Sequence, residues 1–318
     1  MSEKENIVIT GMARTPMGAF QGTLKDASCA ELGAASIRAA LERSRVGADE
    51  VSETIMGCVL PAGQGQAPAR QAALGAEMPL SVCCTTVNKM CGSGMKSTML
   101  AHDLLLGGEE RILVAGGMES MSNAPQLLMG QRSGQKMGDS KLIDSMIYDG
   151  LWDVYNNMHM GNTGEVIAKE CSITRSQADE FAAQSHTKAA KAWEEGWFDW
   201  ETFPVSVPQR RGDDLVLERD EGVRSDSTAD SLSKLRTVFD KDGIVTAGNA
   251  STLNDGASAV LVTSESYAKQ QGWEIIATIE DYCTAGVEPE RVMSAPIPAV
   301  RNLLKRNKLD VLDVDVYE

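Results

Sequence analysis

Through its first 120 residues the chain alternates short β-branched runs with segments whose apolar positions recur at helical spacing. That alternation restricts it to an α/β architecture in which helices cover a sheet. Asn6–Gly11 (NIVITG) reads as a first strand, ended by Gly11. Ser28 and Glu31 have the spacing of a capping box, and Ala30, Ala34, Ile37 and Leu41 follow on one helical face. Further strands are expected at Ser52–Leu60, Ser81–Asn88 and Arg111–Ala115, the last ending in Gly116-Gly117. Helices are expected at Gln64–Ala76 and Ser93–Leu106, the second stopped by Gly107-Gly108.

Beyond residue 120 the character changes. Residues 118–160 are rich in Met, Asn, Ser and Gly and weakly periodic, and a loop region of that length inside a domain usually serves function. Two more capping boxes are expected, at Asn162/Glu165 and at Thr174/Gln177, the second opening a long helix with Ala178, Phe181, Ala182, Ser185, Ala189 and Ala192 on one face. Residues 199–243 are polar and charged, a solvated excursion with short elements. The α/β character returns at Ile244–Ser264, with Ala259–Thr263 as a core strand. A strand at Ile275–Asp281, a helix at Ala299–Arg306 and the start of a strand at Val314–Tyr317 complete the reading. The expected organisation is a first α/β half at 1–120 and 245–270, an insertion at 121–244, and the start of a second α/β half at 271–318 that leaves a sheet unfinished.

Composition narrows the function classes. Acidic residues outnumber basic ones by 45 to 30, for a net charge of −15, which disfavours general binding to nucleic acid or anionic lipid. No run approaches the roughly 18 apolar residues of a membrane span. The charged start runs straight into a strand pattern, so no signal peptide is expected and the expected compartment is the cytoplasm. The 7 cysteines are odd in number, irregularly spaced and without a C-x-x-C pair, so free thiols are expected rather than a disulfide framework. The 3 histidines, His102, His159 and His186, lie far apart in sequence, and no metal site is expected.

The strongest local signal is Val87–Lys96 (VNKMCGSGMK). A strand ends, Cys91 follows, and Gly92-Ser93-Gly94 leads into a helix, in the manner of a nucleophile elbow with sulfur in place of oxygen. A cysteine at a helix N-terminus lies near about half a unit of positive charge, which favours thiolate over thiol. Flanking glycines admit a carbonyl substrate, and the N–H groups of such a turn can receive a developing oxyanion. The same residues also fit a buried cysteine in a tight strand-to-helix turn. Cys83 and Cys84 read as strand core, and His102 and His186 as packed helix residues.

Five motifs in order, ARTPMGAFQG, NKMCGSGMK, AGGMESMSNAP, HMGNTGE and TAGNASTLNDGASA, closely resemble those of the thiolases, in particular the biosynthetic acetyl-CoA acetyltransferase type. The resemblance covers essentially the whole chain. It implies a layered αβαβα fold of two similar halves, with a coenzyme A-binding loop domain inserted in the first. It implies that Cys91 takes an acyl group from one acyl-CoA and passes it to the α-carbon of acetyl-CoA, or runs the reverse thiolysis, splitting a Claisen condensation into two steps. Coenzyme A and acetyl-CoA are then substrates, and no cofactor is permanently bound.

The resemblance also implies a set of coenzyme A contacts. His159 and Met160 match the H-M-G motif along the pantetheine arm, and Leu151, Leu235 and Phe239 match apolar positions flanking it. Arg224 matches a cation near the nucleotide end, where a phosphate-bearing ligand calls for one. Ser231 and Ser251 match polar contacts, Ala247 lies beside the pantetheine chain, and Met293 lines the acyl pocket. A homodimer or homotetramer is implied, with Leu127–Asp139 as the hairpin joining dimers. The N-E-A-F, G-H-P and C-x-G-G-G motifs that follow in the family do not occur in these 318 residues. The expectation is therefore an N-terminal portion of a thiolase, completed by a further segment or a complementing chain. The alternatives are a non-catalytic coenzyme A-binding or assembly subunit and, more remotely, a ketoacyl synthase.

Overall fold

The computed structural model describes residues 5–108, 111–209 and 211–318; residues 1–4 of the charged start, Glu109 and Glu110, and Arg210 of the polar excursion lie outside it. The described chain divides into two compact units. Unit 1 comprises Met1–Gly150, Ala189–Arg224 and Thr252–Ile279, and unit 2 comprises Leu151–Lys188, Ser225–Ser251 and Glu280–Glu318.

Unit 1 is built on a 7-stranded mixed sheet. Its strands are β1 (Ile7–Arg14), β2 (Gly18–Ala19), β3 (Val51–Gly57), β4 (Cys83–Val87), β5 (Ile112–Ser120), β6 (Asn254–Ser264) and β7 (Ala277–Ile279). The order is β7-β1-β6-β5-β3-β4, with β2 against β6. β3 runs parallel to β4 and β5, whereas β6 runs antiparallel to β5 and β1. Strand alternation sets the layers. Ile112 and Val114 of β5 join the core shared with α1 (Cys29–Ser44) and α2 (Pro68–Gly75). Leu113 and Ala115 join the core beneath Ala101 and Leu105 of α3 (Ser93–Leu105). Helices therefore cover both faces of the sheet. A fully buried Ile or Leu in such a core contributes about 1.5–3 kcal/mol.

The local rules explain most element ends. Ser28 and Glu31 form the expected capping box, and Ala30, Ala34, Ile37 and Leu41 all face the core. β5 is longer than expected: it does not end at Gly116-Gly117 but continues to Ser120. The glycines serve close approach instead, since a Cβ at Gly116 would lie 2.1 Å from the Ser258 carbonyl oxygen. Ile275–Asp281 shortens to β7, which pairs with β1 and so widens the same sheet. Cys83 is exposed rather than core, because β4 is an edge strand; Cys84 is half-buried. Arg14, at the end of β1, is tied to Glu201 at 2.5 Å and to Asp220 at 2.8 Å. Asp220 also accepts from the Met17 N–H, and Glu221 from the Ala19 N–H, both at 2.7 Å. These bonds fix the Thr15–Thr23 loop. Within residues 118–160, Gln126–Leu128 and Leu142–Asp144 form a hairpin in antiparallel register.

Unit 2 contains α4 (Met160–Glu170), α6 (Pro296–Asn307) and the first part of α5 (Arg175–Glu194). The Thr174/Gln177 box opens α5 as expected, with Thr174 Oγ1 and the Thr174 N–H both on Gln177 Oε1. Two helical expectations are corrected. The Asn162/Glu165 box does not form, because α4 starts earlier, with His159 as its cap. The face expected on α5 is rotated: Phe181 is 76% exposed and Ser185 is exposed, while Asp179 is buried. Asp179 explains the rotation, since it accepts from Arg175 Nε at 2.7 Å and from Asn249 Nδ2 at 2.9 Å. Val314–Tyr317 forms no strand; the Tyr317 hydroxyl instead donates to the Val311 carbonyl at 2.8 Å. Among the described residues no helix is long and apolar enough to cross a membrane.

Candidate active site

Cys91 lies in the turn between β4 and α3, one residue before the Gly92 N-cap, and is exposed. The alternative of a buried structural cysteine is thereby excluded. Met90, immediately before it, holds a left-handed backbone at φ +50°. For a non-glycine residue that costs about 1–2 kcal/mol and must be fixed by its surroundings. Ser93 does part of this: its Oγ accepts the Lys89 N–H at 2.9 Å and donates to the Met90 carbonyl at 2.5 Å. Asn88 Oδ1 accepts the Met90 N–H at 2.9 Å.

Small residues let the helix start sit directly on the sheet. A Cβ at Gly57 would lie 2.6 Å from Ser93 Cβ and 2.9 Å from the Gly94 nitrogen. A Cβ at Gly117 would lie 3.3 Å from Gly94 Cα. Ser97 Oγ bridges the two elements, donating to the Gly116 carbonyl at 2.8 Å and accepting the Gly116 N–H at 2.9 Å. The sequence reading missed Ser97, Asn88 and Glu119. Asn88 had a signal, since an Asn two residues ahead of a tight turn commonly closes it. The other two had none, because their partners are distant in sequence.

Cys83 and Cys171 share the exposure of Cys91, but other thiols contrast with it. Cys29 and Cys58 are buried, and the Cys58 thiol is pushed far up by its neighbour Cys29, by burial and by Glu119. Burial pushes Cys84 up as well, against the pull of Arg70. His102 is buried beside Asp103 and His186 is half-buried, as expected of packed residues.

Of the ten positions expected to contact coenzyme A, Leu151, His159, Met160, Ser231, Leu235, Phe239, Ala247, Ser251 and Met293 belong to unit 2, and Arg224 is the last residue of a unit 1 segment. Four are brought together around the start of α4. His159 stacks on Phe239 with ring centroids 4.7 Å apart and an interplanar angle of 23°. The His159 Nδ1 accepts the Gly161 N–H at 3.0 Å, so it is unprotonated there. Burial lowers the His159 pKa from its ordinary 6.5. The Leu151 carbonyl accepts the Met160 N–H at 2.8 Å. Gly161 seats the Phe239 ring, which a Cβ would meet at 2.1 Å.

A second group surrounds the 246–251 turn. Leu235 packs on Gly248, where a Cβ would lie 2.5 Å from its Cδ1, next to the exposed Ala247. The turn is closed by Asn249, whose Oδ1 accepts the Thr246 N–H at 2.8 Å. Ser251 follows it and is exposed. Ser231 caps Ala229–Ser233 reciprocally with Thr228. Arg224 is exposed, and so is Met293, in the 3-10 turn Pro289–Ser294. That turn is tied to α4 by Arg291, which reaches Glu170 at 2.8 Å. Glu165, not a capping residue, accepts the Ile244 and Val245 N–H groups at 2.8 Å each and so holds the segment leading into the turn.

Comparison with known proteins agrees with this geometry. Residues 7–266 match the family described as Thiolase, N-terminal domain. An acetyl-CoA acetyltransferase of Cupriavidus necator is 51% identical over 313 residues, a match that covers 98% of this chain and 80% of the relative. A probable acetyl-CoA acyltransferase of Staphylococcus epidermidis is 47% identical, and one of Staphylococcus aureus 46%, each across 98% of this chain and 79% of the relative. With a cysteine elbow on an α/β sheet, a family match across most of its length and relatives at this identity, the chain belongs to the thiolase family and is an acyltransferase of the thiolase type.

Proposed function

We propose that Cys91 is the acyl-accepting nucleophile and that the reaction is the reversible condensation of two acetyl-CoA to acetoacetyl-CoA. The Cys91 sulfur attacks the thioester carbonyl carbon, a new carbon–sulfur bond forms, and the bond to coenzyme A breaks. Coenzyme A leaves as the thiol, carrying the proton that Cys91 gave up. The acetyl group then passes to the α-carbon of a second acetyl-CoA as a carbon–carbon bond forms and the bond to Cys91 breaks, and the α-proton that is lost balances the regenerated Cys91 thiol. The observation that carries the reading is an exposed cysteine held by a strained turn at the start of α3, whereas Cys29 and Cys58 of the same unit are buried.

In this reading Leu151, His159, Met160 and Phe239 take the pantetheine arm, with Leu235, Ala247 and Ser251 beside it. Ser231 and Arg224 serve the nucleotide end, and Met293 the acyl group. The grouping of His159, Met160, Leu151 and Phe239 around one helix start supports it. Residues 121–244 serve as the coenzyme A-binding loop domain, between N-terminal half segments 1–120 and 245–270 and a C-terminal half that starts at 271. The protein works in the cytoplasm as a homodimer or homotetramer, and the 126–144 hairpin, with exposed Leu128, Met129 and Met137, joins dimers.

Incubation with acetyl-CoA followed by intact-mass analysis and peptide mapping tests the reading. One acetyl adduct, on Cys91, is expected. Coenzyme A binding without that adduct marks a non-catalytic subunit, and acylation from acyl carrier protein but not from coenzyme A marks a ketoacyl synthase.

A further inference from the structure

We propose that Asn88 and Glu119 are positioning residues for Cys91, acting through a chain of hydrogen bonds that anchors the elbow to the end of β5. The proposal rests on the reading of Cys91 as nucleophile. Cys91 is exposed, and its side chain makes no hydrogen bond among the described residues, so no side-chain partner fixes its sulfur and the backbone of the turn sets where the residue sits. The Ser93 hydroxyl closes the turn on itself but does not tie it to the sheet. The tie runs through Asn88. Its Oδ1 accepts the Met90 N–H at 2.9 Å, and its Nδ2 donates to the Val59 carbonyl at 3.2 Å.

Val59 belongs to the loop after β3, and that loop is fixed in turn by Glu119. Glu119 Oε2 accepts the Val59 N–H at 2.7 Å, and Oε1 accepts the Leu60 N–H at 3.1 Å. The Cys58 thiol donates to the same Oε1 at 3.7 Å. The Val59 residue is thereby gripped at its N–H by Glu119 and at its carbonyl by Asn88. The three segments that converge here are β5, the β3 loop and the elbow. Burial pushes the Glu119 carboxyl up, and the N–H groups of Val59 and Leu60 draw it part of the way back. A carboxylate kept at such a cost has a positional use, and the two backbone donors supply one. Displacing a reacting atom by about 1 Å can cost on the order of 100-fold in rate, so the anchor bears on acyl transfer while leaving ligand contacts alone.

The test compares the full chain with Asn88→Ala, Asn88→Asp and Glu119→Gln. The readouts are Cys91 acetylation by acetyl-CoA and, in parallel, iodoacetamide labelling of each cysteine. Asn88 is exposed, so its variants fold, and protected Cys29 and Cys58 report that the core is intact. Acetylation is expected to fall about 10-fold or more in Asn88→Ala and in Glu119→Gln, while iodoacetamide labelling of Cys91 changes by less than about 2-fold. Asn88→Asp keeps the acceptor for Met90 but loses the donor to Val59, and falls between wild type and Asn88→Ala. Wild-type acetylation in Glu119→Gln and Asn88→Asp overturns the proposal, as does a loss that appears only together with labelling of Cys29 and Cys58. Absence of acetylation in the wild-type arm instead overturns the nucleophile reading, and this inference with it.

Discussion

Asn88 Oδ1 accepts the Met90 N–H at 2.9 Å, and that two-residue closure accompanies the left-handed φ of +50° at Met90. The residue that carries the strain is therefore not the nucleophile candidate but its predecessor. Cys91 is turned outward by a neighbour whose conformation is held by hydrogen bonds on both sides, from Asn88 and from Ser93. Strain concentrated next to a reactive group is a common mark of a functional turn.

Cys91→Ser is expected to abolish the acetyl adduct with acetyl-CoA while leaving stability within about 0.5 kcal/mol, since the side chain is exposed. Intact mass and a urea titration check both halves. An adduct that persists on another cysteine contradicts the assignment.

Gly57→Ala places a Cβ 2.6 Å from Ser93 Cβ, and 2.7 Å from the Ser93 carbonyl carbon, which is backbone and cannot swing away. The start of α3 must shift. A loss of about 1–3 kcal/mol is expected, together with slower acetylation of Cys91. Thermal melts paired with single-turnover acylation measure it, and an unaltered acylation rate refutes it.

His159→Ala removes the cap of α4 and the stack on Phe239, at a cost of about 1 kcal/mol, and weakens coenzyme A binding. The pH dependence has a defined sign. Burial lowers the His159 pKa below 6.5, so the unfolded state takes up the proton first. This contribution is present above pH 6.5 and is lost as pH falls through the lower folded value. Stability measured by urea titration from pH 8 to 5 should decline more steeply for wild type than for His159→Ala. Parallel curves would exclude the effect.

Arg14→Ala leaves Glu201 and Asp220 without the cation they share, and removes the Arg14 hold on Asp220, which accepts the Met17 N–H. The expected loss is about 2–3 kcal/mol, below the range for fully buried pairs because the Arg14 side chain is 19% exposed. Arg14→Lys should recover part of it, since an ammonium can still pair with one carboxylate. Chemical denaturation of the two variants decides the matter.

The α/β class, the strand-to-helix elbow, the capping boxes at Ser28 and Thr174 and the family were all legible in the sequence. Each depends on neighbours within a few positions or on a contiguous motif, and such short-range rules act before any tertiary contact forms. Tertiary contacts decided the rest. The inward turn of α5 follows Asp179, a polar residue buried because Arg175 and Asn249 satisfy it, and it leaves Phe181 in solvent. β5 runs on through Gly116 because β6 pairs with it there, and hydrophobic periodicity does not register a backbone partner. Cys83 is exposed because its strand is last in the sheet order, and Glu165 left its expected cap for two N–H groups about 80 positions away. The sequence thus determined most of the helices and strands of the first 120 residues and which cysteine stands at the turn, because those depend on local backbone preference. Which side chains anchor that turn depended on the fold, because the hydrogen bonds that Val59 gives to Glu119 and receives from Asn88 exist only after distant segments have met.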